Sequence, residues 1–255
     1  DVPDVETLLS APLAVMRETV AAASRPVSDP VELLAPIDGR TEVWASGVTY
    51  DRSRAGRAEE STEATIYDRV YVADRPELFF KSVAWRVVGD GAAIGIRTDA
   101  AVTVPEAELA LVLNRDGEIA GYTICDDVTS RSLEGENPLY LPQAKIFAGS
   151  CALGPGIVPV WTVEPPRDWA IAVTVRRGGA VVWSDRTSTA RIRRGLDELA
   201  SALTAPLEFP SGVVLSTGTG LVPGLDVSLD DGDIVDISID HLGTLTNRVV
   251  RDCRR

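Results

Sequence analysis

Cysteine is scarce in these 255 residues: Cys125, Cys151 and Cys253, with no Cys-x-x-Cys spacing. An odd, unpatterned set, with no charged-then-apolar signal segment at the start, excludes a disulfide scaffold and points to a reduced, cytoplasmic protein. The first residue is Asp rather than Met, so a few further N-terminal residues are expected. No apolar run reaches about 18 residues, so no membrane-spanning helix is expected. Basic charge is outweighed: 25 Lys and Arg against 38 Asp and Glu leave a net charge of −13. That excludes nucleic acid or an anionic membrane as the main partner, because both select a basic surface. A small anionic substrate remains compatible, provided one local site is positive. Histidine is reduced to His241, which falls in a late turn-like segment and reads as a structural or surface residue. Lysine is reduced to Lys81 and Lys145 amid many arginines. A compact ammonium fits a small site and shifts its pKa when buried, which a guanidinium cannot do.

What remains is enough for a core. Hydrophobic residues make up 45% of the chain, which suits one large domain or a domain with a small appendage. Val5 to Ala23 reads as helical, split at Pro12, with Ser10 as N-cap of the second piece. Pro26, Pro30 and Pro36 mark an extended connector. Glu42 to Ser46 is strand-like, and Tyr50 to Ser61 and Thr65 to Val72 read as helical. From Pro76 the character turns to β. Leu78 to Phe80, Ala84 to Val88 and Ala93 to Ile96 are strand candidates. Leu109 to Leu113 and Ile119 to Cys125 flank the hairpin signal Asn114-Arg115-Asp116-Gly117. Ala170 to Val175 and Val181 to Ser184 flank a second, at Arg177-Gly178-Gly179. Thr189 to Leu203 carries a helical stripe of Ile192, Leu196, Leu199 and Leu203. Val213 to Ser216, Ile234 to Ile239 and Leu245 to Val250 complete the strands. The layout is α+β, with a small N-terminal part over residues 1–75 and a β-rich body over 76–255.

The stretch from Pro105 to Gly156 carries the chemistry. Glu106 and Glu108 are two apart, so on a strand they point to one face. Such a pair is ordinarily a solvated face, but here it leads into Leu-Ala-Leu-Val-Leu, a run that suggests a strand buried on both sides. Charges entering a buried strand are costly unless paired or metal-bound. Asp127 follows the next strand and Lys145 the next loop. Three converging carboxylates repel unless a cation neutralises them. All-oxygen ligands suit a hard ion, Mg²⁺ first, then Mn²⁺ or Ca²⁺.

Six segments, in order, carry a resemblance: PELFFKS (76–82), PEAELALVL (105–113), GYTICDDVTSR (121–131), QAKIFAGSCALGPGIV (143–158), LSTGTG (215–220) and GDIVDISIDHLGTLTN (232–247). Together they resemble the fumarylacetoacetate hydrolase family, from about Trp44 to Val250. The resemblance implies a mixed β-roll or sandwich body with a small N-terminal α-rich domain, assembled as a homodimer or homotetramer. It places metal ligands at Glu106, Glu108 and Asp127, the active-site lysine at Lys145, and a substrate-carboxylate loop at Gly218 and Thr219. The family's hydrolases carry a histidine where this chain has Ser53, which puts C–C hydrolysis in doubt and makes Ser53 a substrate contact. Arg52, Arg54 and Arg57 lie beside it. GVTYDRSR and ENPLYLPQAKIF resemble the family's sugar-acid branch, in which a glutamate, here Glu77, precedes the Phe-Lys run as acid/base. The implied function is a lyase: Mg²⁺-dependent dehydration of a 2-keto-3-deoxy pentonate to 2,5-dioxopentanoate. Rivals are C–C hydrolysis of an acylpyruvate, decarboxylation of a 2-oxo acid, and a binding protein that keeps the metal site for structure.

Overall fold

The structure, a computed structural model, describes residues 4–23, 32–51, 64–224 and 226–253. Two sheets form the body. The first has six strands: β1 (Glu42–Gly47), β2 (Glu77–Val83), β5 (Ala107–Leu113), β6 (Ile119–Asp127), β8 (Cys151–Pro159) and β11 (Val213–Ser216), in the order β2-β1-β11-β5-β6-β8. The second has five: β3 (Ala93–Ile96), β9 (Ala170–Arg177), β10 (Ala180–Ser188), β12 (Ile234–Ile239) and β13 (Gly243–Arg251), in the order β10-β9-β12-β13-β3. A short antiparallel pair, β4 (Thr103–Val104) with β7 (Thr129–Ser130), lies beside them.

β5 shows why the layers stack this way. Every one of its residues is buried. Leu109, Leu111 and Leu113 point into the core between the sheets, where they meet Ile171, Val173 and Val175 of β9 and Val235, Ile237 and Ile239 of β12. Ala110 and Val112 point the other way, into a second core with Leu9 and Met16 of the N-terminal helices. Glu108 shares that second face by alternation. The unbroken apolar run is thus a strand covered on both sides, by a sheet and by helices. β9 needs only one covered face and alternates between buried and more exposed positions accordingly.

β1 lies between β2 and β11, antiparallel to the first and parallel to the second. Residues 1–75 therefore contribute an interior strand to the body as well as the helices Val5–Leu9 and Leu13–Ala22. The hairpin at 114–117 is held as expected, with Asn114 Oδ1 accepting from the Asp116 and Glu118 amides and Gly117 at φ 76°.

Three local expectations are corrected. Ser10 ends the first helix instead of starting the second: its hydroxyl donates to the Glu6 carbonyl, and Pro12 takes the N-cap position. Ala84–Arg86 is a 3₁₀ turn, and the apolar residues around it belong to the end of β2 and to an isolated bridge between Val88 and Ala152. The helix expected from Thr189 begins only at Leu196. Before it, the Arg193 amide donates to the Thr49 carbonyl, and the Arg194 guanidinium reaches the carbonyls of Ala73 and Asp74. Those tertiary bonds hold the segment off the helix, so Ile192 is not on the helical stripe. Of the helix expected over Tyr50 to Ser61, residues 52–61 lie outside the described residues.

Candidate metal centre

Glu106, Glu108 and Asp127 meet where β5 begins and β6 ends. One carboxylate oxygen from each lies within 4.8 Å of the other two, and all three residues are buried. Pairing of the strands produces this: Ala107 sits opposite Asp126, and the Asp127 amide donates to the Glu106 carbonyl at 3.0 Å. No other group of three or more acidic, Cys or His side chains is as close among the described residues.

Basic groups surround the trio. Lys145, fully buried at the end of the helix Leu141–Lys145, places Nζ 2.5 Å from Glu106 Oε2, 2.7 Å from Asp127 Oδ2 and 2.7 Å from Thr129 Oγ1. The Phe79 ring lies 5.3 Å from the same nitrogen. Lys81, also fully buried, places Nζ 2.5 Å from Asp127 Oδ1. An Arg131 guanidinium nitrogen lies 2.5 Å from Glu106 Oε1, and Nε lies 3.6 Å from Glu134. Glu108 differs, because neutral donors hold it: the Ser216 hydroxyl at 2.5 Å and the Gly218 amide at 2.8 Å, both to Oε2.

Five carboxyl groups, Glu106, Glu108, Asp126, Asp127 and Glu134, are thus buried with three cations, Lys81, Arg131 and Lys145. If every group is ionised, two negative charges are left over. Two protons or one dication would balance them. Proton uptake shows in the acids least well paired. Burial, then the neighbouring Asp127 and Glu106, push Glu108 up to about 8. Burial pushes Asp126 up to about 8 as well, against the Glu106 amide that donates to it and the Lys81 charge. Asp126 Oδ2 has no hydrogen-bond partner. A divalent ion on the trio supplies the missing charge, and the oxygen-only donor set selects a hard one. The residues present fit such an ion.

The remaining candidates lie around this centre. Glu77 opens β2 opposite Gly47, on the strand face that carries Phe79 by alternation. Gly218 has φ 89°, and a Cβ there would stand 2.1 Å from Thr49 Oγ1, so only glycine fits. Thr219 is buried, and its hydroxyl accepts from the Leu221 amide, which shapes the turn. Ser53 and its neighbours Arg52, Arg54 and Arg57 lie outside the described residues. His241 packs against the Trp169 ring, 5.1 Å between centroids, in the turn between β12 and β13. Sequence reasoning missed Thr129, Arg131 and Ser216 and left Lys81 without a catalytic role. Thr129 lies on β7 and Arg131 opens the helix Arg131–Glu136 directly after it, so their place beside Glu106 depends on how β6, β7 and that helix follow one another.

Residues 43–250 match the C-terminal domain of fumarylacetoacetate (FAA) hydrolase, most of the chain. The chain belongs to the fumarylacetoacetate hydrolase family. Within that family, it is 49% identical over 214 residues to a probable 2-keto-3-deoxyxylonate dehydratase of Haloferax volcanii, covering 84% of this chain and 73% of that one. It is 45% identical over 223 residues to a 2-dehydro-3-deoxy-D-arabinonate dehydratase of Saccharolobus solfataricus, covering 86% and 74%. Among solved structures, a 2-keto-3-deoxy-D-arabinonate dehydratase complexed with magnesium and 2,5-dioxopentanoate matches with a TM-score of 0.81 and 38% identity, over 99% of this chain and 90% of that one. The expected α+β family fold is therefore the observed one.

Proposed function

We propose that this fumarylacetoacetate hydrolase family member is a magnesium-dependent hydro-lyase that converts 2-keto-3-deoxy-D-arabinonate, equally named as the xylonate, to 2,5-dioxopentanoate. The observation that carries this reading is the buried trio Glu106, Glu108 and Asp127, gathered within 4.8 Å inside a cluster of five buried acids and three cations. The dehydratase relatives supply the substrate class. Magnesium, when bound, supplies a Lewis acid for negative charge developing on a 2-oxo acid.

In this reading, Glu106, Glu108 and Asp127 hold the ion. Ser216 and Gly218 fix the carboxylate plane of Glu108, as outer partners of ligands generally do. Three oxygens, two of them carboxylate, surround Lys145 Nζ, which suits a role in charge and orientation beside the substrate. Glu77 acts as acid/base: a proton leaves C3, and the C4 hydroxyl leaves as water once protonated. A proton shift from C5 then gives the aldehyde. Gly218 and Thr219 shape the turn beside the substrate carboxylate, and Ser53 meets a substrate hydroxyl. A cytoplasmic homodimer or homotetramer completes the reading. Its support is the set of free thiols and the exposed apolar side chains Trp85 and Leu139.

The test is incubation of the purified protein with magnesium and 2-keto-3-deoxy-D-arabinonate, followed by mass spectrometry. The expected product has lost one water and kept all five carbons. Release of CO₂ or a cleaved skeleton would overturn the reading. Glu106→Gln and Glu108→Gln are expected to abolish turnover, and Glu77→Gln to lower kcat with little change in magnesium affinity.

A further inference from the structure

A cavity of about 360 Å³ is lined by Tyr50, Asp51, Arg186, Thr187, Arg191 and Gly220, and Gly220 lies two residues past Gly218, whose amide donates to Glu108. Its size falls in the ~300–1,000 Å³ range of small-molecule sites. Arg186 stands on β10, the edge strand of the second sheet, and Arg191 ends the 3₁₀ turn that follows. Both are exposed. Their guanidinium groups make no ion pair among the described residues. Among the described lining residues, the one carboxylate is Asp51. The described lining therefore carries a net positive charge on a chain of net charge −13.

The cavity is tied to the metal centre by consecutive hydrogen bonds. The Arg193 amide donates to the Thr49 carbonyl at 3.0 Å. The Thr49 hydroxyl donates to the Thr217 carbonyl at 2.6 Å, and the Gly218 amide donates to Glu108 at 2.8 Å. Gly220 lets the chain pass close to two other lining residues: a Cβ there would stand 2.5 Å from the Tyr50 ring and 3.1 Å from Thr187 Oγ1. The backbone two residues past Arg191 and the residue before Tyr50 are thus joined to the loop that holds Glu108.

We propose that Arg186 and Arg191 form a carboxylate-binding vestibule that captures the incoming 2-oxo acid anion ahead of the metal centre. This deepens the function proposed above and rests on it for the identity of the substrate. Two guanidinium groups lining one cavity suit a planar carboxylate by charge, and either one by its fork geometry. A negatively charged protein with an acidic centre repels an anionic substrate at long range, and a cationic mouth offsets that repulsion where it matters. The class of ligand is a small 2-oxo monocarboxylate.

The test compares the magnesium-loaded wild type with the double variant Arg186→Gln/Arg191→Gln, and with Arg115→Gln/Arg167→Gln as a control of equal net charge. With 2-keto-3-deoxy-D-arabinonate, the double variant is expected to raise KM about tenfold with kcat within about twofold, and to flatten the fall of kcat/KM with added NaCl. Lysine at both positions is expected to restore the salt dependence and only part of the KM, since an ammonium keeps the charge and lacks the fork, and the control pair to behave as wild type. An unchanged KM and salt dependence in the double variant would overturn the vestibule. Pyruvate titrated calorimetrically into the same proteins is the second arm, expected to bind wild type and to bind the double variant at least about fivefold more weakly. Equal affinities, or no binding to wild type, would also overturn it. If wild type makes no product from the sugar acid, the proposed function fails, and the pyruvate titration still decides the vestibule.

Discussion

Lys81 Nζ sits 2.5 Å from Asp127 Oδ1 and donates to the carbonyl oxygens of Val128 and Lys145, at 3.1 and 2.6 Å. One ammonium thus ties β2 to the end of β6 and to the last turn of the helix that carries the other lysine. The side chain is fully buried, and a compact –NH₃⁺ brings one charge close to three oxygens in a space too small for a guanidinium fork.

Lys81→Met removes the cation beside Asp127 Oδ1, leaving Lys145 as that residue's charged partner, and takes a donor from the Val128 and Lys145 carbonyls. Breaking a buried pair from one side costs about 3–5 kcal/mol. Urea unfolding of the magnesium-free protein is expected to show a loss of that order. With saturating magnesium the loss is expected to shrink, because the ion replaces part of the missing charge on Asp127. Equal losses in both conditions would mean that Lys81 and the metal do not share Asp127.

Magnesium binding is expected to release protons. Glu108, raised to about 8 chiefly by burial, retains its proton at neutral pH in the metal-free protein and must lose it to bind an ion. Apparent affinity should therefore rise with pH, by up to about tenfold per unit, and level off above about 8. Calorimetry in buffers of different ionisation enthalpy counts the released protons directly. Stability follows the same linkage. The folded metal-free state holds protons on Glu108 and Asp126 that the unfolded chain gives up near its ordinary carboxyl range. Metal-free stability should fall as pH rises from there towards about 8, then flatten. Glu108→Gln should weaken that slope, and saturating magnesium should suppress it.

Ser216→Ala takes one of two neutral donors from Glu108 and leaves the Gly218 amide in place. Partners of this kind are worth about 10–100-fold in metal affinity, and with one donor remaining the lower figure is expected. The readout is magnesium titration beside a thermal melt. A tenfold weaker Kd with an almost unchanged metal-free Tm assigns Ser216 to orienting Glu108. An unchanged Kd removes it from that role.

Much of this centre was legible because alternation on a strand is a strict rule. Glu106 and Glu108 had to share a face, and the leucine-rich run behind them had to be buried, so both carboxyls had to find a partner. Asp127 followed from the same logic one strand later. Lys145 and Lys81 were marked by their rarity, yet nothing local says which acid each one meets. Arg131 was hidden among many arginines, and its distance from Glu106 is set by the β4–β7 pairing, a tertiary fact. The segment at 189–195 misled for a related reason. Its apolar spacing suits a helix, but the Arg193 amide and the Arg194 side chain bond to distant carbonyls, and those bonds override the pattern.

The parallel pairing of β1 with β11 joins Glu42 to Val213 and Ala45 to Ser216, across two-thirds of the chain. No earlier segment can stand in for β11, since it also pairs with β5 and carries Ser216 at its end. A nascent polypeptide leaving the ribosome can build the hairpin of β5 and β6 early, because its partners are neighbours in sequence. It cannot seat β1 or complete the surroundings of Glu108 until residues past 218 have emerged. Contacts so far apart along the chain form slowly. Competence to take up the ion is therefore a late event in this protein's synthesis, and a chain truncated before β11 is left with acids in place and nothing to aim Glu108.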